Sequence, residues 1–361
     1  MLVFQGGGAL GAYQAGVYEG FAEAGILPDW VTGVSIGAIN AALIAGNTVD
    51  NRVLRLREFW NRVSSGLPAV PRRFAEGFQP AINELSSTAS AIFGVPGFFR
   101  PRFPGPLFAA RGAPDALSFY DTSPLADTLR ELVDFDVLNR RDVRFAVGAV
   151  DVRSGNSVYF DNDDPALTLG PEHIMASGAL PPGLPPVEIG GEFYWDGGLV
   201  SNTPLWYVLD TSPHLDALIA QVDLFSARGD LPETLDEVLE RSKDIQYSSK
   251  TRFNTNRLKE IEGLRDALHR VLEAMPKRMR DDPDVKLLTD AARPPRLSVV
   301  HLINRRFAHS TQAKDYAFSR STVEALWDEG RGAVRATLAH PDWRRACRSE
   351  EGMRAFDLGM G

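Results

Sequence analysis

The 361-residue sequence predicts an α/β fold with parallel strands, on three observations. A strand, a glycine-rich loop and an amphipathic helix succeed one another over residues 1–24, and the same order returns over residues 31–45. The composition, 44% hydrophobic and 24% charged, is that of a globular chain with apolar material for one large domain or two ordinary ones. The net charge of -8 argues against a generally basic nucleic-acid binder, so no nucleic acid is expected as partner. One cysteine, Cys347, can form no internal disulfide, and six scattered histidines show no zinc-ligand spacing, so neither metal nor other cofactor is expected. No run of eighteen apolar residues and no basic segment leading into a long apolar one is present, which makes a cytoplasmic location the expectation.

Residues 1–5 read as a buried strand that runs into Gly6-Gly7-Gly8-Ala9-Leu10-Gly11. The helix that follows carries Leu10, Tyr13, Val17, Phe21 and Ala24 on one face, and Gly25 and Pro28 stop it. Gly6, Gly8 and Gly11 match the dinucleotide fingerprint, yet the next strand ends in Ser35, where an acid for a ribose hydroxyl belongs. Two other readings stand beside it: an oxyanion hole from the bare amides of Gly7 and Gly8 at a helix N-terminus, or a tight turn with no ligand. Strand 31–34 then meets Gly33-Val34-Ser35-Ile36-Gly37, a G-x-S-x-G nucleophile elbow in which small neighbours let the serine hydroxyl project. An ordinary strand-to-helix turn also satisfies that pattern. Ile36, Ile39 and Leu43 have helical spacing, and Gly37, Ala38, Ala41 and Ala42 allow close packing on a sheet.

From 61 to 117 no sustained period survives among Pro, Gly and aromatic residues. So long an apolar, unpatterned stretch reads as a cap over the active site or a lipid-meeting surface, with irregular core or a contact between copies as the alternatives. Residues 144–150 and 156–160 read as a hairpin. Phe193-Tyr194-Trp195-Asp196-Gly197-Gly198 puts the Asp196 carboxylate at a sharp turn ending a strand, although Asp-Gly-Gly is also a good β-turn by itself. Residues 215–222 form another strand and 297–303 the last. Between them lie two amphipathic faces, Leu231, Leu235, Val238 and Leu239, then Leu258, Ile261, Leu264, Leu268, Val271, Leu272 and Met275. A final helix from 314 to 338 carries Phe318, Leu326, Trp327, Val334 and Leu338.

Taken together, the glycine loop, the Ser35 elbow, Ala176-Ser177 with its proline-rich loop, Asp196-Gly197-Gly198 and Asn202-Thr203-Pro204 resemble a patatin-like phospholipase in order and spacing. The tail, with Lys314-Asp315-Tyr316-Ala317-Phe318-Ser319-Arg320, resembles the extra C-terminal region of a bacterial subgroup of that family. The resemblance implies a three-layer α/β/α fold with a mainly parallel central sheet. Residues 1–222 would be the catalytic domain, with 61–117 an inserted cap or lid. Residues 223–361 would be a helical C-terminal extension contributing a further strand near 297–303. It implies a carboxylic ester hydrolase acting on lipid acyl esters through a Ser-Asp dyad and an acyl-enzyme, without histidine or metal. Ser35 is then the nucleophile and Asp196 the base. Gly6, Gly7 and Gly8 supply the oxyanion hole, and Gly33, Gly37, Gly197 and Gly198 support elbow and turn. Many relatives carry Arg or Lys where this chain has Ala9-Leu10, so a phosphate is held less directly here. The rival readings are a hydrolase of glycerides or hydroxyacyl oligomers, a non-catalytic lipid-binding protein, and a Ser-Asp-His enzyme using His214, His269, His301, His309 or His340. The expected partners are a lipid or other acyl ester and, transiently, a membrane surface; self-association is left open.

Overall fold

Two apolar runs, Leu2–Phe4 (β1) and Trp30–Val34 (β2), are buried at every residue, as strands covered on both faces must be. In the computed structural model they lie parallel, with Val3 opposite Thr32. The structure describes residues 1–66, 79–212, 216–248, 263–276, 279–292, 296–305, 314–348 and 352–358. Helix α1 (Ala12–Glu23) connects the two strands, and α2 (Ile36–Ala45) and α3 (Val49–Val63) follow β2. After α4 (Gln79–Phe93) comes a small ribbon of β3 (Arg100–Pro101) and β4 (Tyr120–Asp121), then α5 (Ser123–Leu132) and α6 (Phe135–Asn139). The main sheet resumes with β5 (Arg144–Asp151) and its antiparallel neighbour β6 (Ser157–Asp161). Next are α7 (Pro171–Ser177), β7 (Val187–Ile189), β8 (Glu192–Asp196), α8 (Leu205–Thr211) and β9 (Asp216–Asp223). The C-terminal part adds α9 (Leu235–Tyr247), α10 (263–273), α11 (Pro283–Ala292), β10 (Arg296–Ile303), α12 (Arg320–Ala339), α13 (Trp343–Ala346) and β11 (Gly352–Phe356).

The strands form one sheet in the order β11-β10-β9-β1-β2-β5-β8-β7, with β6 also on β5. From β11 to β5 every pairing is parallel, and the β5–β6, β5–β8 and β8–β7 pairings are antiparallel. The fold is therefore α/β, a mainly parallel central sheet with flanking helices. Alternation along β1 divides the core: Leu2 and Phe4 join the large cluster with α1 and α2, whereas Val3 joins Leu205 and Val208 of α8. The C-terminal strands extend this same sheet, since β10 pairs with β9 along eight residues.

Several elements differ from the sequence reading. Part of the segment expected to lack pattern is helical, because α3 continues to Val63 and α4 follows at Gln79. Helix α4 buries Ser86, Ser87 and Ser90 while Leu85 and Phe93 stay exposed, so its packed face carries no apolar period to detect. Strand 297–303 is not the last, for β11 pairs with it. The helix expected from 314 begins at Arg320, with the Ser319 side chain accepting from the Thr322 N–H as cap, and α13 follows it. Phe318 lies before it. Helix α9 likewise starts after Thr234, which leaves Leu231 outside and 90% exposed. Leu258 and Ile261 lie outside the described residues. No helix among the described residues is long and apolar enough to cross a membrane.

Helix α12 docks on α1 with backbone against backbone. A Cβ at Gly16 would collide with the Trp327 carbonyl, and one at Gly330 with the Tyr13 carbonyl. Beside this crossing, buried Glu19 accepts from Trp327 Nε1 at 2.6 Å and pairs with Arg57 at 2.8 Å. Gly330→Leu has no flexible neighbour to displace and is expected to lower unfolding free energy by about 3 kcal/mol or more in urea titration. A loss below 1 kcal/mol would mean the two helices do not meet this closely.

Candidate active site

At the end of β2 the chain turns into α2 through Ser35, whose φ of 57° and ψ of -125° place a non-glycine residue in a disfavoured region. Two glycines make this geometry feasible. A Cβ on Gly33 would overlap the Gly37 backbone, and one on Gly37 would lie 2.7 Å from the Phe4 carbonyl oxygen of β1. The turn is then clamped: the Ser35 N–H donates to both the carbonyl and Oγ of Ser177, each at 3.1 Å. Ser177 Oγ in turn donates to the Gly148 carbonyl of β5 at 2.6 Å.

The glycine loop leaves β1 beside this turn. Gly6 is buried, and its N–H donates to the Asn202 carbonyl at 3.1 Å, while Asn202 Nδ2 donates to the Gly6 carbonyl at 3.1 Å and the Tyr247 carbonyl at 2.8 Å. With its N–H so engaged, Gly6 does not fit the expectation of an oxyanion donor. Its lack of a side chain is what matters, for a Cβ there would lie 3.0 Å from Ser35 Cβ. Gly7 and Gly8 are part-exposed at the start of the helical run into α1, and their N–H groups have no acceptor among the described residues. Gly8 has a φ of +54°, and a Cβ on it would strike the Asp315 carbonyl. Buried amides fasten the base of the loop. Gln5 donates to Thr203 Oγ1 at 3.0 Å and accepts from the Leu224 and Phe225 N–H groups at 2.7 and 2.8 Å. Its own carbonyl takes the Gln14 side chain, and Asn40 links Gln14 to Trp60.

Asp196 ends β8, opposite Ala149 of β5, and is 2% exposed. Its Oδ1 accepts from the Gly198 N–H at 2.7 Å, and the Ser35 side chain lies beside the carboxylate. Burial pushes its pKa up to about 6, against the lowering effect of the Ser35 hydroxyl and the Gly198 N–H. Gly197 is required by space, since a Cβ would sit 2.5 Å from the Gly148 carbonyl; Gly198 supplies the donor. Ser35, Asp196, Gly6 to Gly8 and Gly198 face one cleft. Ile36, Phe98, Phe99, Leu180, Leu184 and Phe318 give it apolar walls, and Tyr120, Tyr247 and Tyr316 give it phenols.

Of the described histidines, His173, His269, His301 and His340, none lines the cleft. His301 is buried on β10 and desolvation pushes its pKa down to about 4. His214 and His309 lie outside the described residues. The clamp of Ser177 and the tie of Asn202 both fall within quoted motifs, but their roles required the fold. Tyr247 had no local signal, being one tyrosine at the end of a charged helix.

The family model for patatin-like phospholipase matches residues 2–209, and a second, described as patatin phospholipase, matches residues 245–350. No curated protein matches the chain. Among solved structures, it is similar to VipD from Legionella pneumophila at 15% identity and a TM-score of 0.35, with 91% of this chain and 66% of that chain covered. It thus spans just under two thirds of the length of VipD.

The raised pKa of Asp196 carries a stability consequence. The folded state binds this proton more tightly than the unfolded chain, so the group favours folding below about pH 4 and that contribution is lost as pH rises through about 6. Above it the buried charge costs the fold as much as about 3 kcal/mol. Asp196→Asn is expected to raise stability at pH 7.5 by about 1–3 kcal/mol and to do less at pH 4, read from urea titrations at both pH values. Equal stability of the two proteins at pH 7.5 would contradict a desolvated carboxylate.

Proposed function

Because this chain belongs to the patatin-like phospholipase family, we propose that it is a carboxylic ester hydrolase cleaving lipid acyl esters by the Ser35–Asp196 dyad. The observation that carries this reading is the Ser35 side chain beside a buried Asp196 in one largely apolar cleft. Ser35 Oγ attacks the ester carbonyl carbon as its proton passes to Asp196. The tetrahedral oxyanion accepts hydrogen bonds from Gly7 and Gly8, at the positive end of a helical run. Collapse breaks the ester C–O bond, and Asp196 returns the proton to the leaving alcohol. Water then attacks acyl-Ser35, giving its proton to Asp196, which passes it to Ser35 Oγ as the carboxylic acid leaves. A carboxylate at its ordinary pKa is a feeble base. Desolvation to about 6 narrows the gap while leaving Asp196 mostly ionised at neutral pH.

A lipid surface is the natural source of such esters, and a surface beside the cleft suits it. Between β3 and β4, Phe103, Leu107 and Phe108 are 99%, 89% and 84% exposed. The ribbon bearing them is pinned to the cleft rim, because the Phe119 and Tyr120 N–H groups donate to the Pro182 and Gly183 carbonyls at 3.1 and 2.9 Å. Three large apolar side chains in water favour transient burial in a bilayer.

Fluorophosphonate labelling followed by intact-protein mass is expected to give one adduct, absent in Ser35→Ala, with ester turnover in that variant reduced at least about 10³-fold. The kcat/KM profile should rise with an apparent pKa near 6, the free-enzyme value of Asp196. Retained turnover in Ser35→Ala or Asp196→Asn sinks the dyad. Replacing Phe103, Leu107 and Phe108 together with serine should weaken hydrolysis of vesicle-borne ester while sparing a short-chain monomeric one; matched losses on both would remove the membrane role.

A further inference from the structure

The cleft is completed by the C-terminal part of the chain. Helix α9 and the turn Lys314–Tyr316 bring Tyr247 and Tyr316 to the cleft that holds Ser35 and Asp196. Both segments are held on the catalytic loop and on each other. Asn202 donates to the Tyr247 carbonyl at 2.8 Å, and the Asp315 carbonyl lies against Gly8. Lys314, buried, pairs with Glu240 at 3.0 Å and Asp244 at 2.6 Å of α9, and Lys243 pairs with Asp315. The two phenols are thus placed by the same groups that place the glycine loop.

Their hydroxyls differ from that of the third cleft tyrosine. Tyr120 donates to the Ala91 carbonyl at 2.8 Å, whereas among the described residues the Tyr247 and Tyr316 hydroxyls have no partner. Both lie within the field of the Asp315 and Asp196 carboxylates. Burial pushes Tyr316 up to about 12, so it remains a neutral donor throughout the working range. Phenol donors confer nothing on a methylene chain, for which Ile36, Phe98, Leu180 and Leu184 already provide a wall. They suit the other half of an ester, the alcohol that Asp196 must protonate.

Resting on the Ser35–Asp196 reading above, we propose that the unpartnered Tyr247 and Tyr316 hydroxyls form a leaving-alcohol subsite that hydrogen-bonds the free oxygens of a glyceryl group. Monoacylglycerols and lysophospholipids share that chemistry. A methyl ester lacks it.

The test compares the full chain with Tyr247→Phe, Tyr316→Phe and the double variant on three esters of one acyl chain: methyl, 1-glyceryl and lysophosphatidylcholine. For each single variant kcat/KM on the glyceryl esters should fall about five- to tenfold, further for the double, with methyl ester turnover within about twofold of wild type. The methyl ester also reports that the variants are folded. A loss confined to one glyceryl ester supports the subsite and identifies its source. Equal losses on all three esters, or none, overturn it. Methyl ester turnover that survives Ser35→Ala would instead overturn the dyad, so the two failures are distinct.

Discussion

The first turn of α2 lies against the carbonyl oxygens that end β1, with no room for a methyl group at Gly37 or Gly33. Most of the site follows from that contact. It forces the chain to reverse within one residue, which gives Ser35 its positive φ and lifts its side chain toward Asp196. Such a conformation costs about 1–3 kcal/mol, so it persists only where its surroundings over-determine it. Here the Ser35 N–H has two acceptors on Ser177, and Ser177 is tied to β5. The strained residue is thus held by rigid strands on both sides, β1 below and β5 beside it.

A second constraint is electrical. Asp196 is buried at a strand end with one backbone donor and one serine hydroxyl, far less than a carboxylate receives in water. The same desolvation that opposes its ionised form makes it a more competent proton acceptor. The amides below the glycine loop are, by contrast, satisfied: Gln5, Gln14, Asn40 and Asn202 spend them on backbone, on the Thr203 hydroxyl and on one another. Unmet polar demand at the cleft falls on Asp196, on the Gly7 and Gly8 amides and on the Tyr247 and Tyr316 hydroxyls, around the place where charge would move during ester cleavage.

The legible parts of the fold are those where the cause is local. An apolar run and a glycine spacing were enough to read β1, its loop, β2 and the elbow, because steric need at Gly33 and Gly37 shows as residue identity. Asp196 was readable for a similar reason, since Gly197 cannot bear a Cβ against Gly148. Helix α4 escaped because it packs through serines, and β11 because a five-residue edge strand with Arg354 at its centre has little pattern. The engagement of Gly6 by Asn202, and the approach of Tyr247, Asp315 and Tyr316 to the cleft, join residues that are far apart in sequence. No window of sequence contains such contacts, and only the topology of the sheet brings them together.

The position of β1 in that sheet sets an order of events for the growing chain. Leu2 has Val31 on one side and Ala220 on the other, so one neighbour is synthesised early and the second only after a long interval. At about 5–20 residues per second, the edge of β1 waits roughly 10–40 s on the ribosome for β9. During that time an apolar strand with unpaired N–H and C=O groups is a template for the wrong chain. The strand that anchors the glycine loop is thus made long before its second neighbour, and its open edge stays available to other chains until β9 arrives.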